Sequence, residues 1–279
     1  METTAAARKA DLVMLDTQPA KGVIERRCVR AQNFFVEWLA AGAGAPALEI
    51  SSDGEIMLLT FDARAKIARA GDVTMIGQRT LAVLPSGACE IAFEAGSACI
   101  LSTRQLAATP PLNAASYVAS DKRVAPVGPA WRRTGNPNQI QVFDIDRVKA
   151  PADNPRLKMF QSATMSINWV DYEGPRDRTK LSPHAHADLE QASLAVAGSF
   201  VHHTRVAWGS NANEWSDDRH LPAGSPSVVV IPPDIIHTTE GVGPGHHLLI
   251  DIFAPPRRDF IARNWVLNSQ EYAAPHAVG

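Results

Sequence analysis

The amino-acid sequence predicts an all-β protein. Short runs of β-branched and apolar residues recur along its 279 residues, and the turns between them use many of its 20 prolines and 18 glycines. Strand-length runs at a spacing of about 8–12 residues are typical of β-sandwiches and closed barrels. The predicted strands are residues 56–61, 80–84, 90–93, 98–101, 139–144, 165–170, 199–206, 227–231 and 248–253.

Few segments show a helical pattern. Apolar residues recur at helical spacing in residues 30–40 and 259–267, so we predict one short helix in each segment.

A weak internal repeat predicts two similar halves. Residues 79–90 and 226–237 each contain a strand, a proline turn and a second strand. In this alignment Glu90 occupies the position that His237 has in the second copy.

A segment rich in Pro, Ala, Ser and Asn lies between the two copies, which predicts a long connection between β domains. The predicted organisation is an N-terminal domain at 1–106, a connection at 107–155 and a C-terminal domain at 156–279.

Composition argues against several classes of partner and location. The net charge is −2, which gives no long-range attraction to nucleic acid or to anionic membranes. The longest apolar runs have the length of strands, and the N-terminus lacks the apolar segment of a secretory signal. Cys28, Cys89 and Cys99 form no CxxC motif, and we expect free thiols in a reducing cytoplasm. A disulfide between Cys89 and Cys99 is the less favoured alternative.

The histidines indicate the function. All nine of them lie from His184 onwards. His184 and His186 are two residues apart, Glu190 and Gln191 follow, and His237 comes after a proline-rich turn. Side chains at i and i+2 of a strand share a face, and neutral imidazole is the commonest protein metal ligand. A mixed nitrogen and oxygen site suits Fe, Mn, Ni, Cu or Zn better than Ca or Mg.

A polar strand face with two surface histidines is the alternative reading of the HxH pair. The distant Pro-x-Asp-x-x-His segment that ends at His237 favours a metal site over this alternative.

The first motif resembles that of the cupin superfamily, in which His-x-His is followed by three or four residues, Glu, six residues and Gly. Here His184 and His186 are followed by four residues, Gln191, six residues and Gly198. The resemblance implies two double-stranded β-helix barrels of the jelly-roll type in one chain. It covers residues 156–255 well.

The second cupin motif, Pro-x-Gly-x-x-His, corresponds here to Pro232, Asp234 and His237. Asp tolerates left-handed backbone angles better than most residues, so we expect the turn to form despite the missing glycine. Residues 45–105 match the family only in the spacing of their predicted strands and turns, as the metal-free half of a bicupin would. The metal is therefore expected only in the C-terminal half.

The third ligand is Gln191 or Glu190, because two consecutive residues of one strand cannot both point inward. Ala192, Leu194 and Val196 form an apolar face, and Gln191 lies on the opposite one. We therefore predict Gln191 as the ligand and keep Glu190 as the alternative.

The next predicted strand, 199–206, supplies the candidate catalytic residues. His202 or His203 faces the barrel interior and would act as a general acid or base. Arg205 would hold a substrate carboxylate. The alternative for all three is a surface position.

The resemblance implies a metal-dependent cupin enzyme with one divalent transition metal, Fe or Mn first and Ni or Zn remaining open. The substrate is expected to be a small organic molecule, and a non-haem dioxygenase is the first hypothesis. The alternatives are a metal-dependent lyase or isomerase and a non-catalytic binding protein. We also predict a homodimer whose interface the N-terminal domain helps to build.

Overall fold

The computed structural model describes residues 9–106, 108–116 and 121–275, and these are almost entirely β-structure, as predicted. The first eight residues, which belong to the segment examined for a secretory signal, lie outside this description. The strands are β1 (Asp11–Met14), β2 (Ile24–Arg30), β3 (Phe35–Ala41), β4 (Leu48–Ser52), β5 (Ile56–Thr60), β6 (Ala65–Arg69), β7 (Asp72–Ile76), β8 (Thr80–Leu84), β9 (Gly87–Phe93), β10 (Gly96–Ser102), β11 (Arg132–Arg133), β12 (Gln141–Asp144), β13 (Leu157–Gln161), β14 (Ser166–Glu173), β15 (Gln191–Ala197), β16 (Ser199–Val206), β17 (Arg219–Ala223), β18 (Ser227–Ile231), β19 (Ile235–Val242), β20 (His246–Phe253) and β21 (Tyr272–Ala273).

The N-terminal half contains two sheets that face each other. A six-stranded sheet has the order β12-β8-β5-β10-β3-β2, and a four-stranded sheet has the order β4-β9-β6-β7. Aliphatic side chains from both sheets, among them Leu58, Ile67 and Ile91, fill the space between them. The interior of this half is therefore a packed apolar core.

The C-terminal half repeats this arrangement. Its six-stranded sheet has the order β1-β18-β15-β20-β14-β13, and its smaller sheet has the order β17-β16-β19. Near one end of the six-stranded sheet the two sheets meet through Val170, Ala195, Phe200 and Leu249. The remaining interior is lined by polar and aromatic side chains and contains a cavity.

Two short strands join the halves. β1, from the N-terminal segment, pairs with β18 of the C-terminal sheet, and β12, from the connection, pairs with β8 of the N-terminal sheet. β12 is the strand predicted within the connection at 139–144, whereas β1 and its pairing with the other half were not predicted from the sequence. Each large sheet is completed by a strand from outside its predicted half.

The two six-stranded sheets pack against each other through one buried core. Trp38 stacks on Phe61 with ring centroids 5.4 Å apart, and Phe61 contacts Trp169 at 5.7 Å. β8 is buried along its whole length. The apolar surface that motivated the homodimer prediction is therefore largely covered within the chain, and the homodimer itself stays a prediction.

The helix predicted for residues 30–40 is wrong. Residues Phe35–Ala41 form β3, which pairs with β2 and β10. Val36 and Trp38 point into the core between the halves, whereas Leu39 points into the core of the N-terminal half. Because both faces of this strand are buried, apolar residues occupy both, and the two-residue period of a strand is hidden.

The second predicted helix is shorter than expected. The helix α1 spans Arg258–Ala262. It begins one residue before the predicted segment 259–267 and covers only the first part of that segment. No helix of the described residues is long and apolar enough to cross a membrane.

The cysteines are free. Cys99 lies in the core between the halves, whereas Cys89 packs against the core of the N-terminal half. The two thiols therefore belong to different cores, which explains why no disulfide joins them.

The internal repeat is present, but its two copies align differently by one residue from the predicted alignment. β8 and β9 correspond to β18 and β19, but two residues separate the first pair of strands and three separate the second. This one-residue difference places Glu90 on the exposed face of its strand. Cys89 occupies the inward position, so the assignment of Glu90 to the place of His237 is wrong.

Replacing Trp169 tests the core between the halves. Trp169 is fully buried, and Trp169→Ala should lower the free energy of unfolding by about 3–5 kcal/mol because it leaves a large cavity. Trp208→Ala is the matched control, since Trp208 is 72% exposed and should change this free energy by about 1 kcal/mol or less. Chemical denaturation measures both. Equal effects would show that the halves do not depend on this contact.

Candidate metal centre

The backbone brings the two histidine motifs together. His184 and His237 form an antiparallel bridge in which each backbone N–H donates to the other's carbonyl, at 3.0 and 2.8 Å. The N–H of Asp234 donates to the carbonyl of His186 at 2.7 Å. The turn before β19 is thereby fixed against the HxH segment.

Asp234 adopts a left-handed backbone conformation with φ of +65°. This confirms the expectation that Asp can replace the glycine of the second motif at this turn.

The three imidazoles converge on one point. The ligand nitrogens of His184, His186 and His237 all lie within 4.8 Å of one another, a separation suited to a single metal ion. Nδ1 of His184 lies 2.9 Å from the carbonyl of Ser182, and Nδ1 of His237 lies 2.8 Å from that of Ile235. A ring that donates Nδ1–H to a carbonyl carries its lone pair on Nε2, which is the tautomer that a metal requires.

Gln191 lies at the same point. Its Oε1 is 3.0 Å from Nε2 of His186 and 3.2 Å from Nε2 of His237. Burial, followed by the charge of Arg257, lowers the pKa of His186 to about 4, and burial lowers the pKa of His237 to about 3. Both rings are therefore neutral at pH 7.

The Gln191–His237 contact shows that these residues suit a metal ion. The amide oxygen is an acceptor, and Nε2 of neutral His237 is an acceptor as well once Nδ1–H donates to Ile235. Two acceptors at 3.2 Å need a cation or a proton beside them. The low pKa of His237 disfavours the proton, so the donor set fits a cation.

Asp251 orients the Gln191 amide and was missed in the sequence. Nε2 of Gln191 donates to Oδ1 of Asp251 at 2.9 Å and to Oγ of Ser193 at 3.0 Å, and Ser193 donates to the same carboxylate at 2.6 Å. These contacts fix the amide so that its oxygen faces the imidazoles. The signal was available, because Asp251 is the single carboxylate in the apolar strand β20.

Glu190 points elsewhere. Its side chain is buried and accepts a hydrogen bond from the backbone N–H of Gln32, in the N-terminal half. Of the two candidate ligands, Gln191 is the one that contacts imidazoles of the cluster.

The candidate catalytic residues on β16 separate by strand face. His202 is buried on the inner side, where Nδ1 lies 3.0 Å from Oγ1 of Thr239, and burial lowers its pKa to about 4. His203 lies on the outer face, bound to His220 and Glu240 at 2.7 and 3.0 Å.

Arg205 lies on the same outer face as His203. Its guanidinium binds the carboxylate of Asp218, with Nε and Nη2 at 2.8 and 2.5 Å from the two oxygens. Neither His203 nor Arg205 lines the cavity that contains the imidazole cluster.

The cluster opens into a cavity of about 570 Å³. Leu157, Met159, Val170 and Leu249 line one side of it, and polar residues of β14, β19 and β20 line another. This volume lies within the roughly 300–1,000 Å³ usual for small-molecule sites.

Comparison with known proteins identifies the fold. No family model matches the chain, and no curated protein matches it. AerE from Microcystis aeruginosa superposes with a TM-score of 0.55 at 7% identity, covering 88% of this chain and 97% of that one. A mutant of the Bacillus subtilis oxalate decarboxylase OxdC gives 0.53 at 12%, covering 85% and 74%.

YlbA from E. coli gives a TM-score of 0.52 at 9% identity, covering 88% of this chain and 91% of that one. Another structure of the B. subtilis oxalate decarboxylase, at 0.50 and 11%, with coverage of 86% and 79%, concerns its Mn(II) centres. These likenesses show that the chain has the cupin fold that its motifs predicted.

The third ligand can be tested by substitution. Gln191→Ala should weaken metal binding tenfold or more, about 1.4 kcal/mol, because one donor is removed. Glu190→Ala is the control, and it should lower the free energy of unfolding while changing metal affinity less. Titration of both variants with Mn(II) gives the affinities. A larger loss of metal affinity in Glu190→Ala than in Gln191→Ala would identify Glu190 as the ligand.

The role of Asp251 is tested by Asp251→Asn. Both donors bind Oδ1 of Asp251, and an asparagine keeps that oxygen but loses the negative charge that strengthens both bonds. Its NH2 would also face the amide nitrogen of Asn168, which lies 3.5 Å from Oδ2 of Asp251, so the Gln191 amide is held less firmly. Metal affinity should fall roughly 10- to 100-fold, as is typical when a ligand loses its orienting partner. Asp171→Asn is the matched control on the neighbouring strand, where Asp171 binds Arg79 and His246. An unchanged metal affinity in Asp251→Asn would show that Asp251 does not orient Gln191 for metal binding.

Proposed function

We propose that this chain is a metal-dependent enzyme that acts on a small organic substrate in its C-terminal half. The observation that carries the proposal is the meeting of neutral imidazoles and the Gln191 amide oxygen at the base of the cavity. Acceptors gathered in this way are stabilised by a cation.

One divalent transition metal would be held by His184, His186, Gln191 and His237. Fe or Mn is the first expectation for this nitrogen and oxygen donor set, and Ni or Zn remains open. The Mn(II) of the structurally similar oxalate decarboxylase supports Mn among these. When bound, such an ion supplies Lewis acidity and, for Fe or Mn, a change of oxidation state.

The protein residues prepare the site for that chemistry. Asp251 and Ser193 hold the amide, and the backbone carbonyls of Ser182 and Ile235 hold two of the rings. Phe253 lies edge-on to His186 with centroids 5.7 Å apart. This ring gives His186 an apolar neighbour within the cluster.

A non-haem dioxygenase is the first reaction class that we propose. Within the described lining of the cavity, Asp251 is engaged by Gln191 and Asp259 is engaged by Arg257. Both carboxylates are therefore committed to contacts with other protein groups. This favours a reaction in which the metal, rather than a side-chain acid or base, does most of the chemistry.

A metal-dependent lyase or isomerase is the second candidate, and one observation favours it. The Thr239 hydroxyl lines the cavity and binds Nδ1 of His202. A proton could pass from the substrate to the buried imidazole through this hydroxyl. A binding protein without catalysis is the third outcome that the following test separates.

Metal content and oxygen consumption test the proposal together. The purified chain should hold about one equivalent of metal, and His184→Ala/His186→Ala should hold none while its circular dichroism stays unchanged. Oxygen uptake with catechols and enolisable oxo acids should depend on the metal. Metal-dependent turnover without oxygen uptake would favour the lyase or isomerase. A bound metal without turnover of any of these substrates would favour the binding protein. A full equivalent of metal in the double variant would overturn the site.

A further inference from the structure

The cavity has more positive than negative side chains. Its charged lining, apart from the imidazoles, comprises Arg156, Arg176, Arg257, Arg263, Asp251 and Asp259. Asp259 binds Arg257, and Asp251 binds Gln191 and Ser193. Both carboxylates are therefore engaged, and a surplus of guanidinium groups remains.

Arg156 and Arg176 both line the cavity, and neither binds a carboxylate of the described residues. Across the described parts of the chain, neither has an acidic oxygen within 4.0 Å, and the guanidinium of Arg176 reaches only the carbonyl of Lys180 at 3.4 Å. Burial and the charge of Arg156 both lower the pKa of Arg176. Two neighbouring cations that share a cavity wall are unfavourable by themselves, and an anion between them removes the repulsion.

Tyr172 belongs to the same wall. Its ring stacks on His247 with centroids 5.2 Å apart, so its position is fixed. Its side chain lines the cavity with Arg156 and Arg176, and both arginine charges act on its phenol group. This wall therefore combines two guanidinium groups and a hydroxyl.

Arg257 supplies a further cation near the imidazoles. Asp259 holds its Nε and Nη2 at 2.9 and 2.7 Å, and the guanidinium lies 4.0 Å from the ring centroid of Phe260 and 5.0 Å from that of Phe253. Its Nη1 is buried out of reach of solvent. Phe253 also contacts His186, and the charge of Arg257 lowers the pKa of that imidazole, so this cation lies near the metal end of the cavity.

We propose that the substrate is a small ionised carboxylic acid, with its carboxylate bound by Arg156 and Arg176 and its negative charge attracted toward the imidazoles by Arg257. The proposal rests on the proposed function, because it concerns the substrate of the same cavity. Guanidinium groups bind carboxylates through paired, charge-assisted hydrogen bonds.

Calorimetric titration of chelator-treated, metal-free protein tests the proposed binding of carboxylates. The probes are oxalate, malonate, succinate and phthalate, each compared with its uncharged diamide, and inorganic phosphate. At least one carboxylate should bind more tightly than its diamide and than phosphate. Arg156→Gln and Arg176→Gln should each weaken that binding by roughly tenfold, as expected for loss of a charge-assisted contact. Arg104→Gln is the control and should bind normally, because Arg104 is 73% exposed and pairs with Asp53 in the N-terminal half.

The alternative outcomes are distinguishable. Equal binding of carboxylates and diamides, or binding that neither cavity substitution weakens, would overturn the proposal. Phosphate binding as tight as that of every carboxylate would assign the arginines to inorganic anions instead. Carboxylate binding that persists in His184→Ala/His186→Ala supports the substrate class separately from the metal. If the wild-type chain holds no metal yet binds carboxylates through Arg176, the enzyme proposal fails and the substrate class stands.

Discussion

The alternation of side chains along β15 links the core of the molecule to its cavity. Ala192 and Leu194 pack into the core between the halves, while Gln191 lines the cavity and Ser193 binds Gln191 on the same face. A shift of one residue would exchange these faces and place polar groups among aromatic rings. The packing of the two large sheets therefore fixes which residue faces the imidazoles, and this makes Gln191 rather than Glu190 the neighbour of His237.

The N-terminal half supports this register, and none of the described residues that line the cavity belongs to it. Its interior is filled with aliphatic side chains, and its large sheet covers the outer face of the C-terminal sheet. Glu190 contributes to the same contact, because it accepts a hydrogen bond from Gln32 across the boundary between the halves. A degenerate half of the repeat thus has a structural role that explains why it retains the fold without histidines.

Sequence spacing was sufficient for the features that lie in one short segment. It predicted nine of the strands, the left-handed turn at Asp234 and the inward face of Gln191, but it made no prediction for strands such as β2, β4, β6 and β7. It failed for β3, where burial of both faces hides the strand period, and for Glu90, where one missing turn residue reverses the strand face. Asp251 and Arg257 reach the site from segments far along the chain from the HxH motif, and their roles depend on contacts that spacing does not encode.

The position of the negative charge connects the metal site with the arginines. Gln191 places a neutral oxygen beside the imidazoles, and the carboxylate of Asp251 stands behind it, on the far side of the amide. A bound divalent ion would therefore keep most of its charge toward the cavity, because no ligand neutralises it directly. Arg257 adds positive charge on the same side. An anionic substrate would balance both the positive charge of the ion and that of Arg257. A neutral ligand set and a cationic cavity wall therefore favour the same class of substrate.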